Sequence, residues 1–196
     1  MSSNLETNNQ KPLRKLLRGM KMSQGNFRLF LACCNNLSQR QRLIQQLQSS
    51  FSGNLAELEL DESVRELYGT IYQHLGDQQP DALIIWGLES IADIDKLLLS
   101  MGLVREEFRK NFPFPIILWI DAEISRKFIR LIPDFESWAS VTVFEPATDE
   151  LIDSVQQTSE SGDRKVLESR AGTSLDYVEQ GLVDFTYQFS SLCLQL

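Results

Sequence analysis

Five short apolar segments, separated by longer stretches of helical periodicity, constrain the fold of this chain more than any other feature. The segments are residues 27–34, 56–60, 82–86, 116–120 and 141–144. Between them, apolar residues recur at the spacing of one helix face, as in Leu43, Ile44, Leu47 and Phe51. This alternation predicts an α/β fold with a mostly parallel five-stranded sheet between two layers of helices. The third and fourth segments are apolar throughout, so we expect them at the centre of the sheet.

Several polar residues and prolines suggest where the helices begin and end. Asp61 is predicted to cap the helix after the second strand, and Thr148 the helix after the fifth. Pro133 is expected to interrupt the helical segment that starts near Ala122, because an internal proline removes an amide donor. The single histidine, His74, is placed at a helix end, just before Gly76.

Length and charge pattern divide the chain into two parts. Its 196 residues suit one main domain with an addition, and we assign residues 1–147 to an α/β domain and residues 148–196 to a helical appendage with an acidic loop at 158–165. Residues 1–28 carry six basic residues against one acid, whereas residues 146–196 carry nine acids against three bases. The net charge of −8 argues against a general nucleic-acid coat.

The basic residues near the start belong to a predicted amphipathic helix at residues 10–23. Leu13, Leu16, Leu17 and Met20 form its apolar face. Such a helix could meet an acidic partner, nucleic acid or a membrane surface. The alternative is a solvated helix that lies on the sheet.

A heptad pattern near the end of the chain predicts a second contact surface. The apolar residues are spaced alternately three and four apart, as on the seam of a coiled coil, and they are Leu175, Val178, Leu182, Phe185, Phe189, Leu192 and Leu196. This helix either mediates self-association or binding of a protein partner, or it folds back onto the domain.

Most catalytic motifs are missing from the sequence. No lysine is followed by Ser or Thr, the turn after the first strand contains no glycine, and no Gly-x-Gly-x-x-Gly occurs, so a standard phosphate-binding loop is excluded. One histidine and three cysteines, Cys33, Cys34 and Cys193, suit neither a catalytic relay nor a zinc site. We therefore expect reduced, buried thiols, no metal and no cofactor.

No apolar run is long enough to span a bilayer, and we expect a cytoplasmic protein.

Acidic residues follow four of the predicted strands, where ligands bind in folds of this type. Asp61, Glu89, Asp121 and Glu145 could together form an oxygen-rich magnesium site. Alternatively, they are ordinary caps and turn acids near helix N-termini.

Three longer stretches resemble a known family. They are residues 24–36 (QGNFRLFLACCNN), 112–119 (FPFPIILW) and 131–138 (LIPDFESW). They look like the NTPase-like module at the N-terminus of many bacterial, especially cyanobacterial, tetratricopeptide-repeat proteins, which is similar in layout to the STAND and AAA+ ATPases. The resemblance covers about residues 12–145 and implies a P-loop NTPase-type fold in a signalling or scaffolding protein. Because the phosphate loop and its lysine do not match, no catalytic residue is carried over.

Three functions are compatible with these observations. The first is a non-catalytic NTPase-like module, not an enzyme, that acts through protein contacts. The second is a nucleotide-binding switch with an atypical site formed by Gln24, Gly25, Asn35, Asn36 and Glu89. The third is a magnesium-dependent receiver-like or phosphodiesterase-type domain that uses the strand-end carboxylates.

Overall fold

A computed structural model of the chain describes residues 3–136 and 138–145. Its elements are α1 (Ser3–Met22), β1 (Arg28–Cys33), α2 (Leu37–Ser50), β2 (Leu55–Glu59), α3 (Leu67–Leu75), β3 (Ala82–Trp86), α4 (Ile94–Leu103), α5 (Arg105–Asn111), β4 (Pro115–Ile120), α6 (Ala122–Leu131), α7 (Pro133–Glu136) and β5 (Ala139–Val143). A short 3-10 turn, Leu88–Ser90, follows β3. The predicted appendage, its acidic loop and the heptad residues lie outside the described residues. The predicted division of the chain at residue 147 therefore stays a prediction.

The five strands form one parallel sheet in the order β2-β3-β4-β1-β5. β1 lies between β4 and β5, with Leu29 opposite Ile116 on one side and Ala139 on the other. The connection from β1 crosses two strands to reach β2 at one edge, whereas the connection from β4 passes β1 to reach β5 at the other. This is the strand arrangement of the P-loop NTPase-type α/β fold, so the predicted fold class is confirmed.

Alternate residues along each strand contact different helical layers. Leu29 and Leu31 of β1 pack with α3, α4, α5 and α6, whereas Phe30 and Ala32 pack with α1 and α2. β4 alternates in the same way, with Leu118 in the first layer and Trp119 in the second. The sheet is therefore covered on both faces, as expected from the apolar character of its central strands.

The observed strand bounds lie within two residues of the predicted ones. β3 and β4 are central, as expected, and β1 is also an interior strand. The predicted break at Pro133 is confirmed, because α6 ends at Leu131 and α7 begins at Pro133. The basic first helix is present and starts earlier than predicted, at Ser3. Among the described residues, no helix has the length and apolar character that a bilayer span requires.

The predicted helix cap at Asp61 is wrong. Its carboxylate accepts the Ser63 N–H at 2.7 Å, a local turn that holds the chain outside the helix. α3 begins later, with Glu66 as its N-cap and the Glu66 carboxylate accepting the Gly69 N–H at 3.0 Å. Capping by Glu66 was missed because Ser, Thr, Asp and Asn are the residue types that normally signal an N-cap.

Gly87 is required where the chain leaves β3. Its φ is +92°, in the left-handed region that residues with a Cβ rarely adopt. A Cβ at this position would also overlap the backbone carbonyl oxygen of Leu60. Gly87 therefore allows the turn after β3 to approach the end of β2 closely.

We predict that Gly87→Ala lowers the free energy of unfolding by about 3 kcal/mol, because backbone strain and the clash with Leu60 both contribute. Gly25→Ala is the matched control: Gly25 has a φ of +77° but no atom within 4 Å of an added Cβ, so only the strain of about 1–2 kcal/mol remains. Urea unfolding of both variants measures the difference. Equal losses would show that the approach to Leu60 does not constrain the turn.

Candidate functional site

The carboxyl ends of all five strands lie along one end of the sheet, and the loops after β1 and β4 leave this end toward opposite faces. The crevice between two such loops is where ligands bind in open α/β sheets. In this protein it is bordered by residues 34–36 after β1 and by Asp121 after β4. We therefore take this crevice as the candidate functional site.

The side chains of the loop after β1 make local hydrogen bonds across the crevice. Asn36 is the N-cap of α2, and its side-chain oxygen accepts the Gln39 N–H at 2.7 Å. The neighbouring Asn35 accepts the N–H of Ala122 at 2.8 Å, which ties this loop to the first turn of α6. Asp121 caps the same helix by accepting the Ile124 N–H at 2.7 Å. Amide and carboxylate oxygens thus already accept the N–H groups of Gln39, Ala122 and Ile124 near the starts of α2 and α6, where an anion would otherwise be attracted.

Arg40 of α2 is the main charged side chain in the interior of the site. It is 2% exposed, and its Nη2 lies 2.5 Å from Glu89 Oε1 of the 3-10 turn after β3. The same Nη2 donates to the carbonyl oxygen of Cys34 at 2.8 Å. The Arg40 guanidinium therefore links α2, the end of β1 and the turn after β3. Its Nε and Nη1 are buried and have no hydrogen-bond partner among the described residues.

Two amide side chains hold the chain as it leaves β5. Gln39 Nε2 donates to the Glu145 carbonyl oxygen at 2.7 Å, and Asn9 Nδ2 donates to the same oxygen at 2.9 Å. The Glu145 N–H in turn donates to Asn9 Oδ1 at 3.0 Å. Because Asn9 and Gln39 are both 8% exposed, they fix the end of β5 against α1 and α2.

Arg40 occupies the position of the lysine in a phosphate-binding loop. In the pattern G-x-x-x-x-G-K-[ST] the loop follows a strand and opens a helix; here the corresponding positions are Cys34, Gln39, Arg40 and Gln41. The correspondence rests only on the spacing from the end of β1, because none of the four pattern residues is matched. A motif that specifies residue types therefore does not find Arg40.

The residues of this loop do not fit a nucleotide triphosphate. The two glycines that let backbone N–H groups approach phosphates are replaced by Cys34 and Gln39, which are buried. The Arg40 cation is already paired with Glu89 and the Cys34 carbonyl. The apolar strand β3 ends in Trp86 rather than in an acidic residue, so the carboxylate that would hold magnesium beside the phosphates has no counterpart there.

The five predicted nucleotide-site residues do not all lie together. Asn35 and Asn36 follow β1, and Glu89 is joined to the same loop through Arg40. Gln24 and Gly25 precede β1 and therefore lie at the opposite end of the sheet. A strand of six residues separates the two ends by about 20 Å. The proposed set is therefore divided between the two ends of β1.

The four strand-end acids have separate roles. The Asp61 carboxylate accepts hydrogen bonds from Ser63, which lower the pKa of Asp61. Asp121 caps α6 and Glu89 pairs with Arg40, while the backbone of Glu145 is held by Asn9 and Gln39. In the part of the chain that the structure describes, no group of three or more His, Cys, Asp or Glu side chains is arranged to hold a metal ion.

Cys33 and Cys34 are buried, as expected, and are not joined to each other by a disulfide. Cys193 lies outside the described residues. Burial raises the pKa of the Cys33 thiol to about 11, and the nearby Asp121 carboxylate adds to this effect. A thiol with such a pKa is almost fully protonated at neutral pH, so Cys33 does not supply a nucleophile for the site.

Comparisons with known proteins identify no family. No family model matches the chain, and no curated protein matches it. Among solved structures, the chain is similar to part of one described as "Structure of Drosophila ORC bound to AT-rich DNA and Cdc6", with 15% identity and a TM-score of 0.44. The match covers 79% of this chain and 32% of that chain. A similarity at this level says nothing about ligands or activity, and the fold class rests on the strand order and crossovers described above.

We predict that Glu89→Ala lowers the free energy of unfolding by about 2–4 kcal/mol, because it leaves the buried Arg40 guanidinium without its counter-ion. The double variant Arg40→Met/Glu89→Ala should recover at least half of that loss, because no uncompensated charge remains. Glu106→Ala is the control: it breaks an exposed pair with Arg109 and should cost at most about 1 kcal/mol. If the double variant is less stable than Glu89→Ala, the pair is not the dominant electrostatic interaction of the site.

The raised pKa of Cys33 predicts a loss of stability in alkaline solution. The folded state holds the thiol proton more tightly than the unfolded state, whose ordinary pKa is 9.0 against about 11 in the fold. The stabilising contribution is therefore complete below pH 9 and is lost as the pH rises toward 11. Urea unfolding at pH 8 and pH 10.5 should show a drop that is about 1–2 kcal/mol smaller in Cys33→Ala. The same drop in both proteins would mean that other groups account for it.

Proposed function

We propose that this protein is a non-catalytic NTPase-like module that acts through contacts with other proteins. The observation that carries this proposal is the buried Arg40, whose charge is paired with Glu89 at the position where a phosphate-binding lysine would lie. The fold supplies the framework of a nucleotide-binding domain, and the pairing of Arg40 with Glu89 supports a role without turnover. In this proposal the module belongs to a cytoplasmic, bacterial signalling or scaffolding system, as the resemblance to STAND-like tetratricopeptide-repeat proteins implies.

Phosphate binding and the observed hydrogen bonds compete for the same groups. A triphosphate needs free backbone N–H groups and an uncommitted cation. In this site Asn36 holds the Gln39 N–H and Asn35 holds the Ala122 N–H. A nucleotide would have to displace both amides and also separate Arg40 from Glu89. Each of these changes costs free energy that binding would have to offset.

One observation favours the alternative of an atypical nucleotide switch. Arg40 Nε and Nη1 are buried without a hydrogen-bond partner among the described residues, and such donors could serve a phosphate oxygen. We rank this alternative second, because the Nη2 of the same guanidinium is committed to Glu89 and Cys34. The magnesium alternative has no comparable support, since Asp61 and Asp121 are used in turns and caps.

Two segments are candidates for protein contact in this proposal. The heptad residues from Leu175 to Leu192 are one candidate and would bind a second copy of the chain or a partner helix. The basic helix α1 is the other.

Thermal melting with millimolar Mg-ATP, Mg-GTP or magnesium alone tests the proposal. We expect no shift of the melting midpoint in any of the three. A ligand at one hundred times its dissociation constant would stabilise the fold by about 2.7 kcal/mol and raise the midpoint by roughly 5–10 °C. Arg40→Ala is the control for a shift that does occur: a nucleotide shift lost in this variant would establish the switch, and a shift with magnesium alone would establish an acidic metal site.

A further inference from the structure

β5 forms one edge of the sheet. It is the last strand in the order, and no described segment pairs with its outer side. The Phe144 N–H donates to the Cys33 carbonyl oxygen of β1 at 2.9 Å. Because backbone groups alternate in direction along a strand, the N–H and C=O of Val141 and Val143 point outward. Within the described part of the chain, this edge therefore presents backbone donors and acceptors that no strand pairs with.

Helix α1 runs beside this edge in the opposite direction. Asn9 near its start contacts Glu145 just after the end of β5, whereas Arg18 near its end lines the same groove as Ser140. Two neighbouring grooves, of about 540 and 300 Å³, share Lys15 and Thr142. Together they form one groove, which we call the α1–β5 groove.

The α1–β5 groove is strongly basic. Its charged lining residues are Lys11, Lys15, Arg18 and Arg28, and among the described residues no acid lines either part. All four are exposed. The ion pairs that the structure shows within residues 3–136 and 138–145 involve other residues. A cluster of uncompensated positive charge beside an open strand edge favours an acidic partner.

We propose that the α1–β5 groove binds an acidic polypeptide segment in extended conformation, which adds as a sixth strand to β5. This inference rests on the proposed function, since it names the partner class of a protein-contact module. Main-chain hydrogen bonds to Val141 and Val143 hold the segment, and its carboxylates face the basic residues of α1.

The spacing of the basic residues suits a strand with an acid at every second position. Lys11, Lys15 and Arg18 are three or four residues apart in the sequence, and each such step advances about 4.5–6 Å along a helix. Alternate residues of a strand lie about 6.6 Å apart and face the same side. One face of an added strand can therefore place successive carboxylates beside successive bases.

The structure favours a polypeptide over nucleic acid or a membrane. The aromatic residues of the groove, Phe27 and Phe30, are half-buried and buried, so they offer little surface for base stacking. The apolar face of α1 packs on the sheet through Leu13, Leu16 and Met20, and it is not available to insert into lipid. The open backbone edge, in contrast, is specific for another chain.

Fluorescence anisotropy with the full chain and a labelled ten-residue peptide of alternating Glu and Val tests this inference. We expect saturable binding that weakens with added salt, and about tenfold weaker binding of the peptide with Gln in place of Glu. Lys15→Glu/Arg18→Glu should lose at least about tenfold in affinity for the Glu peptide and gain affinity for a Lys-Val peptide. Arg42→Glu/Lys96→Glu is the matched control, because it makes the same charge change at exposed positions outside the groove.

The strand-addition part has its own test. N-methylation at alternate residues removes the N–H groups that face β5 in one peptide and the N–H groups that face away from β5 in the other. We expect the first peptide not to bind and the second to retain its affinity. Equal binding of the Gln peptide, of both N-methylated peptides or of the charge-reversed variant would overturn the inference. Tighter binding of an oligothymidylate or of phosphatidylserine vesicles, lost in the same variant, would replace it with nucleic acid or membrane. The melting result with nucleotide is independent of these outcomes, so failure of this inference is distinguishable from failure of the proposed function.

Discussion

The ion pair between the buried Arg40 guanidinium and Glu89, whose side chain is 25% exposed, is the interaction on which the carboxyl end of the sheet depends. It joins α2, which leaves β1 toward one face, to the turn after β3, which leads to the other face. The Cys34 carbonyl oxygen shares the same guanidinium nitrogen. Because the Arg40 guanidinium is buried, loss of its counter-ion would leave an uncompensated charge, so the loops around the pair are held in one arrangement. In this arrangement the cation that would meet a phosphate is already paired, which is consistent with the lack of a standard phosphate loop in the sequence.

The general architecture of this protein could be predicted from its sequence because burial on both faces of a parallel sheet leaves a strong signal. The apolar strands, the break at Pro133 and the helix end before Gly76 follow from hydrophobic pattern and backbone chemistry. The start of α3 could not be predicted in this way. Asp61 is a better cap than Glu66 by residue type, but a turn with Ser63 uses its carboxylate first. Local competition for one carboxylate decides this boundary, and residue preference alone does not describe it.

The candidate site was only partly predictable for a different reason. Asn35, Asn36 and Glu89 were found because they follow strands whose carboxyl ends share an edge. Gln24 and Gly25 were included in the set, but they precede β1, whose six residues place them at the other end of the sheet. Arg40 was missed because the phosphate-loop motif requires a lysine, whereas Arg40 corresponds to that lysine only in its distance from the end of β1. Arginine keeps the charge of lysine and adds a planar array of donors, which suits a fixed carboxylate as well as it suits a phosphate.

Adjacent residues of α2 contact both the crevice at the carboxyl ends of the strands and the edge strand β5. Gln39, next to Arg40, donates to the Glu145 carbonyl oxygen, and Asn9 of α1 completes the hold on that residue. The stretch of α2 that lies at the crevice therefore also fixes the end of β5 against α1. A rigid strand edge loses little conformational entropy when another chain pairs with it. The contacts of Arg40, Gln39 and Asn9 thus both occupy polar groups of the crevice and fix the end of β5 beside the α1–β5 groove, where the proposed extended partner would bind.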